Sequence, residues 1–537
     1  MNFVRLEKRL AVGLMCAALW GAMVPAPVLA EDTATDLGIQ RAALLRSLFD
    51  GRDVVALEAP SQPADLLEPL RLDEAVALAL KNNFEVLASG AKGDAAGWDV
   101  VGAYGGYLPT VTYSRSSGKE RSGPASFNDA NDDRVQDNKH HRIDKELTIR
   151  QPVIDPSLIA EILVRHKSQT AAEIEQDSTR ERIAMSTVTT YLQLLSARLQ
   201  IRFAEDYKAQ LDKLNDLMKN RVEGGGAAQA DLDRIKARSV SAQSAIIETR
   251  SAFDAVMDEF RRLTGVTPTQ FLLPGSLLPE TPATIEDALT RALRQNPEYL
   301  LSAKQVEVQL GERDKALSRL LPKLTFELTK TRTWNAGGAA LGASTNGGEV
   351  FPYQNEKRAM LVTSWTITGG TELAASLSAG AKAREANFKS LDARSRVEQI
   401  VRTSFNALNA AQSRIPVLEQ AVESNGKVVT AFEEQYVNSS RPLFDLLDAY
   451  ERNYTARADL TRVLLAEAQA GHQIRQQMGE LVGALKETEI RVAAAKAKDA
   501  PAPEPEPAKP EAKSDVPPPP AAAPREPVAV ERGQNQR

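Results

Sequence analysis

Leu72-Asp73-Glu74-Ala75-Val76-Ala77-Leu78-Ala79-Leu80 returns 213 residues downstream as Ile285-Glu286-Asp287-Ala288-Leu289-Thr290-Arg291-Ala292-Leu293. The same offset pairs Asn83 with Asn296, Glu85 with Glu298, Ser89 with Ser302, Leu108 with Leu321 and Pro109 with Pro322, without a gap. Further along, an offset of 214 pairs Leu147 with Leu361, Asp231 with Asp445 and Leu232 with Leu446. One extra loop residue explains the change. A fixed offset held over such a span reads as an internal repeat, so the chain is one unit written twice.

Each unit runs through the same elements. A short helix comes first, over about 72–105 and 285–319, and stops at Pro109 or Pro322, which cannot continue it. A strand follows: Val111 and Tyr113 alternate with Thr110, Thr112 and Ser114, and Leu324, Phe326 and Leu328 alternate with Thr325, Glu327 and Thr329. Period two marks a strand. Polar loops over 117–141 and 335–357 lead to a returning strand. On its apolar face stand Leu147, Ile149 and Val153, or Leu361, Thr363, Trp365 and Ile367. Thr148 and Arg150, or Val362, Ser364 and Thr366, occupy the other. Apolar and polar faces alternating over some ten residues are what a lipid-spanning barrel strand requires; half-buried strands of a soluble sheet would show the same pattern.

The units then become long helices. Residues 157–223 contain neither Pro nor Gly, enough for roughly 100 Å of helix. Gly224-Gly225-Gly226 breaks it before a second helix over about 227–263. The second unit repeats this over about 372–436, a turn at Asn438-Ser439-Ser440, and about 443–485, with a kink expected at Pro416. Such helices bury their apolar stripes by folding back as antiparallel coiled coils.

The ends differ. Residues 1–30 read as a signal peptide, with Arg5, Lys8 and Arg9, an apolar core, and Val28-Leu29-Ala30 before cleavage. Cys16, the one cysteine, lies inside it, so the mature chain has no thiol for disulfides or metal. Cleavage removes a charge of +2, taking the net charge from -5 to -7, which disfavours nucleic-acid binding. Residues 31–69 are an N-terminal extension with a helical patch at 39–49; 70–265 and 283–485 are the repeats, 266–282 a linker, and 486–537 a Pro/Ala/Glu-rich tail expected to be disordered. No apolar stretch of the mature chain is long enough for a transmembrane helix.

Any membrane crossing must therefore use strands in a closed barrel. Four strands cannot close one with a usable lumen, so the chain must oligomerise. The fold class expected is an α+β membrane protein: an outer-membrane β-barrel, four strands per chain, continued by a long periplasmic α-helical coiled-coil barrel, with an internal two-fold repeat.

Tyr436-Val437-Asn438-Ser439-Ser440-Arg441-Pro442-Leu443-Phe444-Asp445-Leu446-Leu447-Asp448-Ala449 resembles the second-turn pattern of TolC-type outer-membrane efflux proteins. Within it, Arg441-x-Leu-Phe-Asp-Leu-Leu-Asp is similar to the form in type I secretion members. The similarity continues through Tyr454, Ala456 and Arg457 and covers about residues 66–485. The resemblance implies a homotrimer of twelve strands and twelve long helices. An inner-membrane transporter and a periplasmic adaptor dock at the helical tips, and the periplasmic end is closed by second-repeat helices that untwist to open. It implies no cofactor and no catalysis.

On the same resemblance, Asp445 and Asp448, three apart on one helix face, become carboxylate rings that select cations; otherwise they are solvated acids at a helix start. Arg441 is the closed-state latch, its partner Asp231, the first-repeat counterpart of Asp445. Tyr436 matches a second latch position, but the expected hydroxyl partner is replaced by Ala230. Asn438 and Pro442 also depart from the commoner Gly and Thr. The tips Gly224, Gly225, Gly226, Asn438, Ser439 and Ser440 are the adaptor-contact candidates, besides turning the chain. Trp334, Phe351, Tyr353 and Trp365 suit an aromatic belt at the membrane surface or ordinary loop packing.

An enzyme is disfavoured. His140, His141, His166 and His472 make no HExxH or triad spacing, and the glycine triplet follows no strand, so it is no phosphate loop. A soluble periplasmic coiled-coil scaffold is the alternative of a different class. Within channels, the turn motif favours type I protein secretion over multidrug efflux.

Overall fold

The computed structural model describes residues 29–57, 68–122, 138–334, 353–366, 369–437 and 442–485. Residues 1–28 of the expected signal peptide, residues 58–67 and 367–368, the loop centres 123–137 and 335–352, the second helical turn 438–441 and the tail 486–537 lie outside the described residues.

The first element, α1 (Leu29–Leu48), is longer than the patch read over 39–49. Beyond it β1 (Val54–Ala56) pairs antiparallel with β4 (Gln270–Leu272). Both were missed: three residues are too few for periodicity to register, and their partners are over 200 positions apart. This strand pair joins the N-terminal extension to the linker. Phe271 is fully buried, 4.4 Å from the Tyr191 ring and 5.6 Å from that of Phe260, and the Tyr191 hydroxyl donates to the Leu272 carbonyl at 2.9 Å.

Each unit opens with two helices rather than the single one expected: α2 (Leu72–Asn82) and α3 (Phe84–Gly105), then α6 (Ile285–Gln295) and α7 (Pro297–Ser318). The breaks fall at Asn83 and Asn296, whose backbones are extended. Each side chain caps the following helix, accepting from Glu85 N at 2.9 Å or Tyr299 N at 2.9 Å. Each amide also donates across the molecule, Asn83 to the Leu263 carbonyl at 3.3 Å and Asn296 to the Gln477 carbonyl at 2.9 Å. An asparagine supplies both an acceptor and a donor, which suits it to a buried break where a helix start meets a helix end.

Four strands form one antiparallel sheet in the order β2 (Thr110–Ser122), β3 (Asn138–Ile154), β5 (Lys323–Trp334), β6 (Tyr353–Ser364). The ladders run further into the polar loops than expected, with Glu120 opposite His140 in the first hairpin and Trp334 opposite Tyr353 in the second. Inter-strand hydrogen bonds continue where hydrophobic alternation has stopped. β6 in turn ends at Ser364, so Trp365 is no strand residue; its indole donates to the Leu320 carbonyl at 3.0 Å. Register puts Val111, Ile149, Leu328 and Ala359 side by side on one face. Thr112, Thr148, Thr329 and Arg358 share the other. The polar face also holds the ion pairs Arg142–Glu120 (3.0 Å) and Arg150–Glu327 (2.8 Å).

From the sheet descend α4 (Pro156–Glu223, 68 residues) and α8 (Thr371–Val437, 67 residues). Asp155 caps α4, accepting from Ser157 N at 2.9 Å. α8 runs through Pro416 as one helix. The return helices are α5 (Gln229–Thr264) and α9 (Leu443–Gln477). α9 ends eight residues before the expected 485, since Gly479 adopts φ 69°, which reverses the chain. Gly265 does the same after α5 at φ 77°. α4 packs on α5, α8 on α9, and α4 on α9. Their shared core holds Leu194, Leu195, Leu199, Leu464 and Ala468, all buried.

Candidate functional site at the helical tips

The lower ends of the four long helices converge on an apolar plug. Leu443, Leu446, Leu447 and Tyr450 recur at the spacing of one helix face and are buried against Leu211, Leu214, Met218, Leu232 and Ile235. That seating fixes what the rest of the turn can do. Asp445 and Asp448 are left half-buried on the flank of α9, and Phe444 is 61% exposed. The two aspartates thus share a face, as their spacing demands. Asp448 is also bonded within its helix to Arg452 at 2.8 Å, a partner the sequence reading did not assign. Exposed pairs of this kind contribute only about 0.3–0.5 kcal/mol, so Arg452 can swing aside.

Of the latch candidates, Arg441 lies outside the described residues, as do the tip residues Asn438, Ser439 and Ser440. Asp231 stands in the first turn of α5, 3.9 Å from Arg234. Tyr436 is buried at the end of α8. Its hydroxyl contacts the Met218 sulfur at 3.9 Å, and the Arg221 guanidinium lies 5.0 Å above its ring while donating to its carbonyl at 3.3 Å. Burial raises the Tyr436 phenol pKa above its ordinary value. The partner missing at Ala230 is therefore replaced from α4. Sequence reading missed Arg221 because a basic residue in a last helical turn is already explained by the macrodipole, and its aromatic partner is 215 positions away.

Within the second hairpin Tyr450 donates to Glu433 at 2.7 Å. Further clamps join the two hairpins: Tyr207 and Tyr454 stack at 5.3 Å, and Arg457 pairs with Asp206 at 3.2 Å while lying 4.2 Å over Phe203. Arg238 bonds Glu451. At the first turn, Gly225 has φ 75° and Gly226 N donates to the Arg221 carbonyl at 2.8 Å, closing α4. Only a glycine meets that backbone without strain.

Among the described residues no cluster of His, Cys, Asp or Glu has a metal-binding arrangement, and no helix is long and apolar enough to cross a membrane. His141 bonds Ser117 at 2.9 Å, His166 approaches the Tyr104 hydroxyl at 3.1 Å, and His472 is buried.

Residues 75–266, which span most of the first unit from α2 to the end of α5, match the model of a family described as outer membrane efflux protein. Over this part the chain is similar to outer membrane efflux proteins. It is 24% identical over 400 residues to the alkaline protease secretion protein AprF of Pseudomonas aeruginosa, covering 72% of this chain and 79% of that one. It is 22% identical over 352 residues to the outer membrane protein TolC of Escherichia coli, covering 64% and 70%. Among solved structures, the Campylobacter jejuni CmeC outer membrane channel superposes with a TM-score of 0.65 at 14% identity, over 80% of this chain and 92% of that one. The fold shared with these channels has a long helical part, and in this chain the converging tips lie at the end of that part remote from the sheet.

Proposed function

We propose that three copies of this chain close a twelve-strand barrel in the outer membrane and a helical tube in the periplasm. The tube passively conducts protein cargo delivered by an inner-membrane transporter and a periplasmic adaptor. One observation supports this above others: the sheet has open edges at β2 and β6 and one apolar face. In lipid an open edge leaves backbone groups unsatisfied, so the edges must meet those of sister chains. The doubled unit belongs to the same reading, since it supplies two hairpins per chain. The turn motif and the protease-secretion relative favour protein cargo over small molecules.

In this reading Asp445 and Asp448 form carboxylate rings at the constriction, Arg441 and Asp231 hold the closed state, and Tyr436, held by Arg221, stiffens the end of α8. The glycine turn Gly224, Gly225 and Gly226 and the turn of Asn438, Ser439 and Ser440 face the adaptor. No step involves bond making, so the protein is not an enzyme.

The test is a deletion strain compared with its parent for proteins in the culture supernatant and for drug susceptibility. Loss of one or more secreted proteins, restored by the wild-type gene, is expected. An unchanged secretome with drug hypersensitivity would place the protein in multidrug efflux instead.

A further inference from the structure

The apolar face of the sheet changes character towards the loops. One row across the sheet reads Val111, Ile149, Leu328, Ala359; the next reads Tyr113, Leu147, Lys330, Lys357. The row after that reads Arg115, Lys145, Arg332, Asn355. Arg115, Lys145 and Arg332 are thus direct cross-strand neighbours, as are Lys330 and Lys357. Directly opposed like charges repel at about 5 Å and destabilise a sheet. No Asp or Glu stands on this face along the described strands. Every strand carboxylate (Glu120, Asp144, Glu146, Glu327 and Glu356) points to the opposite face, where four of them pair with Arg142, Arg150 or Arg358. Trp334 holds the cluster's upper border, with Lys145 at 4.9 Å and Arg332 at 5.4 Å from its ring. Along β5 the exposed positions are Phe326, Leu328, Lys330 and Arg332, whereas the alternate residues are shielded.

We infer that this basic cluster binds the phosphates of the phosphorylated glycolipid that forms the outer leaflet of the outer membrane. The inference rests on the barrel reading, in which the apolar face meets lipid and the helices lie in the periplasm. The loop end then sits at the outer leaflet, and the cations begin where the apolar rows end. The cations run from Arg115 on β2 to Lys357 on β6, strands that lie about 5 Å apart one from the next, so the patch is wide enough to meet two separated phosphates of one headgroup. Long Lys and Arg side chains reach such groups from an apolar surface, and charge-assisted bonds to phosphate relieve the repulsion.

The experiment uses the full-length protein in mild detergent, with lipid A as probe and native mass spectrometry as readout. Bisphosphorylated lipid A is expected to remain bound. Dephosphorylated lipid A and phosphatidylglycerol are each expected to bind at least about tenfold more weakly. The triple variant Lys330→Gln, Arg332→Gln, Lys357→Gln should lose lipid A to the same extent yet keep its single-channel current. Equal binding of phosphorylated and dephosphorylated lipid A, equal binding of phosphatidylglycerol, or undiminished binding by the variant would overturn the inference. Failure of the barrel reading shows separately, as wild-type protein that carries no current.

Discussion

Asn83 and Asn296 each cap one helix and hold the end of another, so removing either side chain leaves an uncapped amide and a buried carbonyl without its donor. Asn83→Ala and Asn296→Ala should each lower stability by about 1–2 kcal/mol, read as a fall in melting temperature. Asn296→Asp keeps the cap but not the donor, so it should recover only part of the loss; full recovery would mean the bond to Gln477 contributes nothing. A second residue-scale effect depends on pH. Burial pushes the Glu181 carboxyl up to about 7, although it accepts from Val482 N at 3.2 Å. A carboxyl whose folded pKa lies above its unfolded value of 4.5 stabilises fully below pH 4.5 and loses that contribution as pH rises through 7. Buried His472, held down at about 4 with Arg475 adding to the effect of burial, acts in the opposite direction at lower pH. The difference between wild type and Glu181→Gln therefore isolates the carboxyl. Wild type should lose about 3 kcal/mol relative to the variant between pH 4.5 and about pH 8; a flat difference refutes the assignment. At the tips, Asp445→Asn with Asp448→Asn should weaken cation selectivity in planar bilayers. Arg221→Ala, by freeing Tyr436, should raise single-channel conductance, as should Asp231→Ala or Arg441→Ala. Unaltered ion preference or conductance would remove those residues from the gate.

Among elements, the turns differ in how strictly they demand glycine. Gly225 is left-handed but a Cβ there meets nothing within 4 Å, whereas at Gly479 it would lie 2.6 Å from the Gln295 carbonyl. Gly225→Ala should cost about 1 kcal/mol, and Gly479→Ala clearly more, in thermal melts of the two variants. Equal losses would show that the Gln295 backbone yields freely. The long helices were legible in the sequence because two stretches of over 60 residues hold few breakers, and the strands because Val111 and Tyr113 alternate with threonines. The paired asparagines were visible at offset 213, but not that they break the opening helices: an asparagine reads as tolerated until its cross-chain partner is known. β1 and β4 were invisible, since what holds them is burial of Phe271 against Tyr191 and Phe260, a contact far along the chain. At the tips the shared face of Asp445 and Asp448 followed from spacing, while the Arg221–Tyr436 and Arg452–Asp448 contacts needed the fold.

For the whole molecule, one chain provides half-finished surfaces: a four-stranded sheet with two open edges, and apolar residues such as Leu108, Val111, Tyr113, Leu361 and Trp365 exposed at its face and margin. A single protomer cannot satisfy these in lipid, whatever the cargo. The most direct test is to purify the full-length protein in mild detergent, determine its mass, and record ionic current after reconstitution into a planar bilayer. The account predicts three chains per particle and a small, steady cation-selective current. Monomeric particles without current would contradict it.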